Sequence, residues 1–293
     1  MGTILFNISP LPFYDSKAEW NSRKDYAFGN VFPLLCTNAL IPFQFIVREG
    51  HEGEVRAWLV DYNTGEEINI SQDMADRGLF VDVITLKSGE HADLVRYPAI
   101  SSIPKIRANG PKYLKLELVG QQVLYSDVFY ISDRAPECLM LEWSNDYDLM
   151  SADGPIVLSG GFTFRCYLDT QLGKPDYDFE EEVTERMGYN FIESQVSKKT
   201  YKFVAVMPEY LCDALRIVRL CNKRKITNKG KLYRPITFSM DVDWEEQGDL
   251  ASATFEFDTD NIIANLGGSM SEISEFNNDF NNDFNDDFNS PNV

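Results

Sequence analysis

The residues of this 293-residue chain that could do chemistry are two histidines, five cysteines and 46 acids. His51 sits between Gly50 and Glu52, and His91 sits near Glu90 and Asp93, so both read as solvated loop residues. Cys36, Cys138, Cys166, Cys212 and Cys221 are odd in number and widely spaced, with no Cys-x-x-Cys pair to hold zinc or run redox exchange. They read as reduced core residues. A nucleophilic Cys138 or Cys166 would need a neighbouring base or positive charge, and strand patterning puts both near apolar neighbours instead. Glu142, Asp146 and Asp148 cluster around Trp143 and Tyr147. Paired acids beside aromatics are the equipment of a glycosidase or a sugar-binding cleft, which makes Trp143, Tyr147 and Asp146 candidate glycan contacts. A solvated turn beside a packed Trp explains the same residues. No nucleophile elbow, zincin helix, phosphate-binding glycine loop or dinucleotide fingerprint occurs, so the expectation is a protein without catalytic residues, cofactor or metal.

Charge narrows the partners. With 27 basic against 46 acidic residues the formal net charge is -19, which opposes binding to a phosphate backbone, and nucleic acid is not an expected partner. The acidic run Asp178 to Glu185 reads as a solvated loop or face. No stretch approaches the roughly 18 consecutive apolar residues that would span a bilayer, so membrane insertion is not expected. Met1 to Asn7 lacks the basic start and apolar block of a secretory signal, which implies folding in the cytoplasm.

The elements that would have to carry any site read as strands. Residues 1–40 form a loop-like arm, because Pro10 and Pro12 forbid a regular helix, and its aromatics Phe13 and Tyr14 suggest a contact with a partner. From residue 41 to 132, alternating segments such as Phe43 to Val47, Val55 to Val60 and the hairpin Tyr113 to Phe129 predict a β-sandwich of immunoglobulin-like size. Asp133 to Glu137 reads as a linker. A second β-rich domain follows over 138–268, with strands at Leu139 to Trp143, Gly161 to Leu168 and Thr200 to Met207. Leu211, Ala214, Leu215, Val218 and Cys221 recur at helical spacing behind Pro208 and predict one amphipathic helix over 208–222. Ile236 to Trp244 and Ala251 to Phe257 predict a final hairpin. The fold class is therefore mainly β, with one helix.

Residues 269–293 change character. Phe276, Phe280, Phe284 and Phe288 recur every fourth residue in a background of Asn and Asp that disfavours helix and strand alike. A disordered tail is expected, and three readings stay open: a stripe that docks as a helix in a partner's groove, a passive extension, or a calcium site without the glycine and spacing of an EF-hand.

Three motifs carry a resemblance. Pro10-Leu11-Pro12-Phe13-Tyr14-Asp15, Leu168-Asp169-Thr170-Gln171-Leu172-Gly173-Lys174-Pro175 and Gln247-Gly248-Asp249-Leu250-Ala251-Ser252 resemble uncharacterised proteins of phages and prophages of gut Bacteroidetes, over residues 3 to 266. The resemblance leaves out the Phe-rich tail. It implies a virion component, associated with the tail or baseplate, made in the host cytoplasm, with other virion proteins or further copies of itself as partners. The expected function is thus structural assembly through protein–protein contacts, with Phe276, Phe280, Phe284, Phe288, Phe13 and Tyr14 as partner-binding residues. The alternative is a carbohydrate-binding or receptor-binding module.

Overall fold

The chain is described by a computed structural model over residues 4–7, 9–16, 34–36, 39–48, 55–99, 101–106, 109–118, 122–151, 154–158, 161–186, 188–244 and 250–265. It is mainly β. The first strands are β1 (Ile4–Phe6), β2 (Phe13–Tyr14), β3 (Leu34–Cys36), β4 (Phe43–Arg48), β5 (Val55–Asp61), β6 (Glu67–Asn69), β7 (Phe80–Thr85), β8 (His91–Tyr97), β9 (Gly110–Leu118), β10 (Gln122–Ser126) and β11 (Phe129–Ile131). Those that follow are β12 (Leu139–Ser144), β13 (Leu149–Met150), β14 (Pro155–Ile156), β15 (Phe164–Leu168), β16 (Asp176–Arg186), β17 (Tyr189–Pro208), β18 (Lys223–Asn228), β19 (Lys231–Tyr233), β20 (Ser239–Trp244) and β21 (Leu250–Asn265). Among the described residues two short α-helices interrupt them, α1 (Ser71–Ala75) and α2 (Glu209–Leu215).

The described residues divide into two compact units, one running to Asp176 and including Thr200–Thr259, the other comprising Tyr177–Lys199 and residues from Asp260. In the first unit, one four-stranded sheet has the order β1-β4-β8-β7. A larger sheet runs β19-β18-β12-β15-β3-β11-β9-β10-β2, with β5 paired to both β6 and β9. Strand periodicity explains the core between them: Leu114, Leu116 and Leu118 of β9 face inward while Tyr113, Lys115 and Glu117 alternate outward. Phe13, Phe43, Phe45 and Tyr97 pack ring against ring, with centroids of Phe13 at 4.8 Å from Phe43 and 4.7 Å from Phe45.

The expected boundary at 133–137 is instead a 3-10 turn, Ala135–Glu137, inside this unit, and the sheet continues across it. The strand that carries it across is β3, which pairs in parallel with β11 and antiparallel with β15. Nor do the described strands of residues 1–40 stand apart as an arm. β1 joins β4, and β2 joins β10, because burying Phe13 in the ring cluster outweighs leaving the segment in water.

β4 is buried along nearly its whole length since both its faces are covered. Phe43, Phe45 and Val47 face the main core, whereas Ile46 meets Leu86, Ala92 and Leu94 in a second small cluster. Behind Pro208, α2 lasts only to Leu215 and tightens into a 3-10 segment, Arg216–Leu220. The expected four-turn helix is cut short there. β-branched Ile217 and Val218 weaken the α form, and the 3-10 winding lets both be buried.

One buried charge shapes the acid response of this unit. Lys112 lies almost wholly inside β9 and its ammonium bonds the Asp61 carboxylate. That hydrogen bond holds the Asp61 pKa down from 3.8 to about 2, against the opposing effect of burial and with help from the Thr64 backbone N–H. A depressed carboxylate contributes stability above its unfolded pKa and loses it as pH falls through the folded value. Urea midpoints measured from pH 5 to pH 2 should therefore drop over the range from near 4 to near 2. Lys112→Met should shrink that drop, by on the order of 1–2 kcal/mol once solvent screening of the part-exposed carboxylate is allowed for.

Candidate functional site

The structure disperses the residues that the sequence offered for chemistry. Cys166, Cys212 and Cys221 are buried, and Cys138 is half-buried. Burial pushes the Cys212 thiol up to about 11 and that of Cys221 to about 12, and burial next to Asp169 raises that of Cys138 as well. Each shift moves away from the thiolate that a nucleophile needs. Cys36 and His51 carry no described side chain, while His91 is exposed at the start of β8 rather than in a loop. The three acids of the candidate glycan cluster each have a separate task. Glu142 pairs with Arg165, Asp148 accepts the Leu158 backbone N–H at 2.8 Å, and Asp146 pairs with Lys223 and accepts from the Asn222 amide at 2.9 Å. Those two bonds lower the Asp146 carboxyl, the reverse of what a general acid requires. Among the described residues no group of three or more His, Cys, Asp or Glu is placed to hold a metal ion.

Trp143 and Tyr147 do not share a surface. Trp143 is 1% exposed and stacked on Phe164 at 5.4 Å, whereas Tyr147 is 61% exposed, so the pair makes no aromatic platform. Of the other strand tryptophans, Trp58 is half-buried under the Lys115 ammonium and Trp244 is exposed on β20. Phe13 is 1% exposed and Tyr14 8%, both packed into the chain's own core, so neither is presented to a partner. Phe276, Phe280, Phe284 and Phe288, with the whole 269–293 tail, lie outside the described residues.

Two other features emerge that the sequence reading passed over. The first is a basic strand edge in the first unit. Residues 216–234 hold eight Lys and Arg and no acid, in a chain of net charge -19. β18 pairs with β12 from Lys223 to Thr227, but β19 covers only Ile226, Thr227 and Asn228, so Lys223 to Lys225 have no strand partner on their outer side among the described residues. A cleft of about 390 Å³ opens there, lined by Lys223, Arg224, Lys225, Arg234, Trp143 and Ser144 among others. The Trp143 Nε1 and Arg224 Nε are buried and find no acceptor among the described residues. Lys225, Lys229 and Arg234 form no ion pair among them either. Six cations within residues 223–234 are the sequence signal that reveals this edge, and it vanishes when charge is averaged over the whole chain.

The second feature is the hairpin of the second unit, β16 and the first part of β17. The acidic run expected as a solvated loop or face is an exposed strand, and residues 176–185 carry six acids and no base. Cross-strand bonds hold it together: Ser194 donates to Glu182 at 3.2 Å, Gln195 donates to Glu181 at 2.7 Å, and Lys198 pairs with Glu180. No described residue of this unit is buried. Tyr177, Phe179, Val183, Tyr189, Ile262 and Ile263 are all exposed, Phe179 at 66% and Tyr189 at 72%. Alternation along β16 put Tyr177 and Phe179 on one face, a signal readable in the sequence but masked by the surrounding glutamates.

Comparison with known proteins adds no relative. No family model matches the chain, and no curated protein matches it.

Proposed function

We propose that this chain is a structural interaction protein of a phage particle, associated with the tail or baseplate, whose binding element is the β16–β17 hairpin. The observation that carries the reading is the absence of a buried residue among the described residues of that unit, where large apolar side chains are nevertheless spread over ordered strands. A strand pair without a core of its own is marginal in water. Covering its apolar side chains is the contribution a partner would make, since burying each aromatic ring is worth about 1.5–3 kcal/mol. The rest of the chain then serves as scaffold. Its sheet orders support an immunoglobulin-like sandwich built on the strands of 41–132 and completed by β1 from outside that range: β1-β4-β8-β7 follows the A-B-E-D order of that fold, and β6-β5-β9-β10 follows C′-C-F-G. The resemblance of three motifs to Bacteroidetes phage proteins supports the virion as the place of action, after synthesis in the host cytoplasm.

The glycan-binding alternative loses its main support, because a sugar platform needs exposed rings and Trp143 is buried.

Purified particles of the phage that carries this reading frame test the proposal. The chain should be present at a fixed copy number in particles banded on a density gradient, and its absence there would overturn the virion reading. Tyr177→Ser with Phe179→Ser should leave unfolding within about 0.5 kcal/mol of the parent, as exposed substitutions do. Incorporation of that double variant should fall at least tenfold. Full incorporation would remove the hairpin from the role.

A further inference from the structure

We infer that the acidic hairpin of one copy docks on the basic β18 edge of a second copy, joining copies head to tail. The inference rests on the reading of the hairpin as the binding element and names its partner. Charge is the first argument. Two copies with a net charge of -19 each repel one another in most orientations, and the approach that reverses the sign brings residues 176–185, with six acids and no base, against residues 216–234, with eight bases and no acid.

Strand geometry is the second. β16 ends its sheet, so one of its long edges has no strand partner among the described residues, and Lys223 to Lys225 of β18 are open in the same way. Unpaired edges invite another strand unless charge blocks the approach. Here the charges on the two edges are opposite and favour it.

Unspent hydrogen-bonding capacity is the third argument. Lys225, Lys229 and Arg234 form no ion pair among the described residues, and the Trp143 Nε1 and Arg224 Nε at the cleft find no acceptor among them, although Arg224 Nη2 donates to the Ile236 carbonyl at 2.8 Å. Carboxylates supply acceptors only, and guanidinium and ammonium groups bond them with charge assistance. A glutamate-rich strand thus offers what the cleft is missing. Repeated from copy to copy, such a contact builds a closed ring or an open filament.

Sedimentation velocity on the full chain at low and high salt is the test. At low salt the parent should associate in a concentration-dependent way, and raising salt to about 0.5 M, where screening is nearly complete, should weaken association at least tenfold. The acid-reversed variant Glu181→Lys, Glu182→Lys, Glu185→Lys should be monomeric. So should the base-reversed variant Lys225→Glu, Lys229→Glu, Arg234→Glu. All six positions are exposed, and circular dichroism confirms that each variant folds. An equimolar mixture of the two should associate again, since each now carries the complement of the other. A monomeric parent at low salt, or folded variants whose mixture fails to associate, would overturn the inference. Association abolished by Tyr177→Ser with Phe179→Ser but untouched by either reversal would also overturn it, while leaving the hairpin as the binding element.

Discussion

Phe255→Ala is expected to lower the unfolding free energy by about 3–5 kcal/mol, the range for deleting a buried aromatic ring. Phe255 is fully buried on β21, stacked on Phe203 of β17 at 4.6 Å and 10° and tilted against Phe238 at 5.9 Å. Its neighbours along the two strands are fixed. The Tyr201 and Phe257 rings stack at 5.5 Å, Thr200 donates to Asp258 at 2.6 Å, and these contacts step in opposite directions along β17 and β21, as antiparallel pairing requires. On the same face, Ala251 and Ala253 are small and buried, so neither can fill the space a lost ring leaves. Urea denaturation followed by tryptophan fluorescence measures the change. A loss under 1 kcal/mol would mean that the stack is not packed as described.

Gly154→Val is expected to cost about 2–4 kcal/mol, from backbone strain and overpacking together. Gly154 has a φ of 156°, a value L side chains rarely adopt. An added Cβ would stand 2.9 Å from Leu86 Cδ2 and 3.7 Å from Ile46 Cδ1, inside the small cluster that covers the outer face of β4 and β8. The turn is held from both ends, since the Ser151 N–H donates to the Gly154 carbonyl at 2.8 Å and the Gly154 N–H donates to the Ser151 hydroxyl at 3.2 Å. Backbone relaxation would therefore have to break the turn. Leu86→Ala in the same chain should recover part of the loss in a double-mutant cycle, because it opens the space that the valine needs. Strict additivity of the two would show that the methyls meet something else.

Local periodicity was the most legible part of the fold. β5, β9, β10, β12 and β15 follow alternations of apolar and polar residues, and the hairpin of β20 and β21 follows two such runs. Long-range pairing was not legible, because a two- or three-residue strand such as β2 or β3 is too short for a period and owes its place to distant partners. The acidic strand β16 was hidden for a different reason. Glutamate is depleted in strands, and the short alternation of Tyr177 and Phe179 is outweighed by the run of glutamates that follows it. The candidate surfaces escaped for a third reason: they depend on how charge is partitioned along the chain, and a single net figure erases partition. Chemistry-bearing residue types were easy to enumerate, yet their burial and pairing decided their roles.

The position of β3 has a kinetic consequence. Its three residues lie between β11 and β15, so the large sheet closes only when residues near 35, 131 and 168 meet. Loop closure over such separations costs entropy before any contact repays it, and high contact order slows folding to milliseconds or longer. During synthesis, residues 34–36 emerge long before β15. Until then β11 can take β3 on one side, but β3 offers its far edge to any neighbouring strand, including that of another nascent chain. Refolding from urea should accordingly be slow and its yield should fall with protein concentration, because the same three residues that stitch the sheet together are the place where it stays open longest.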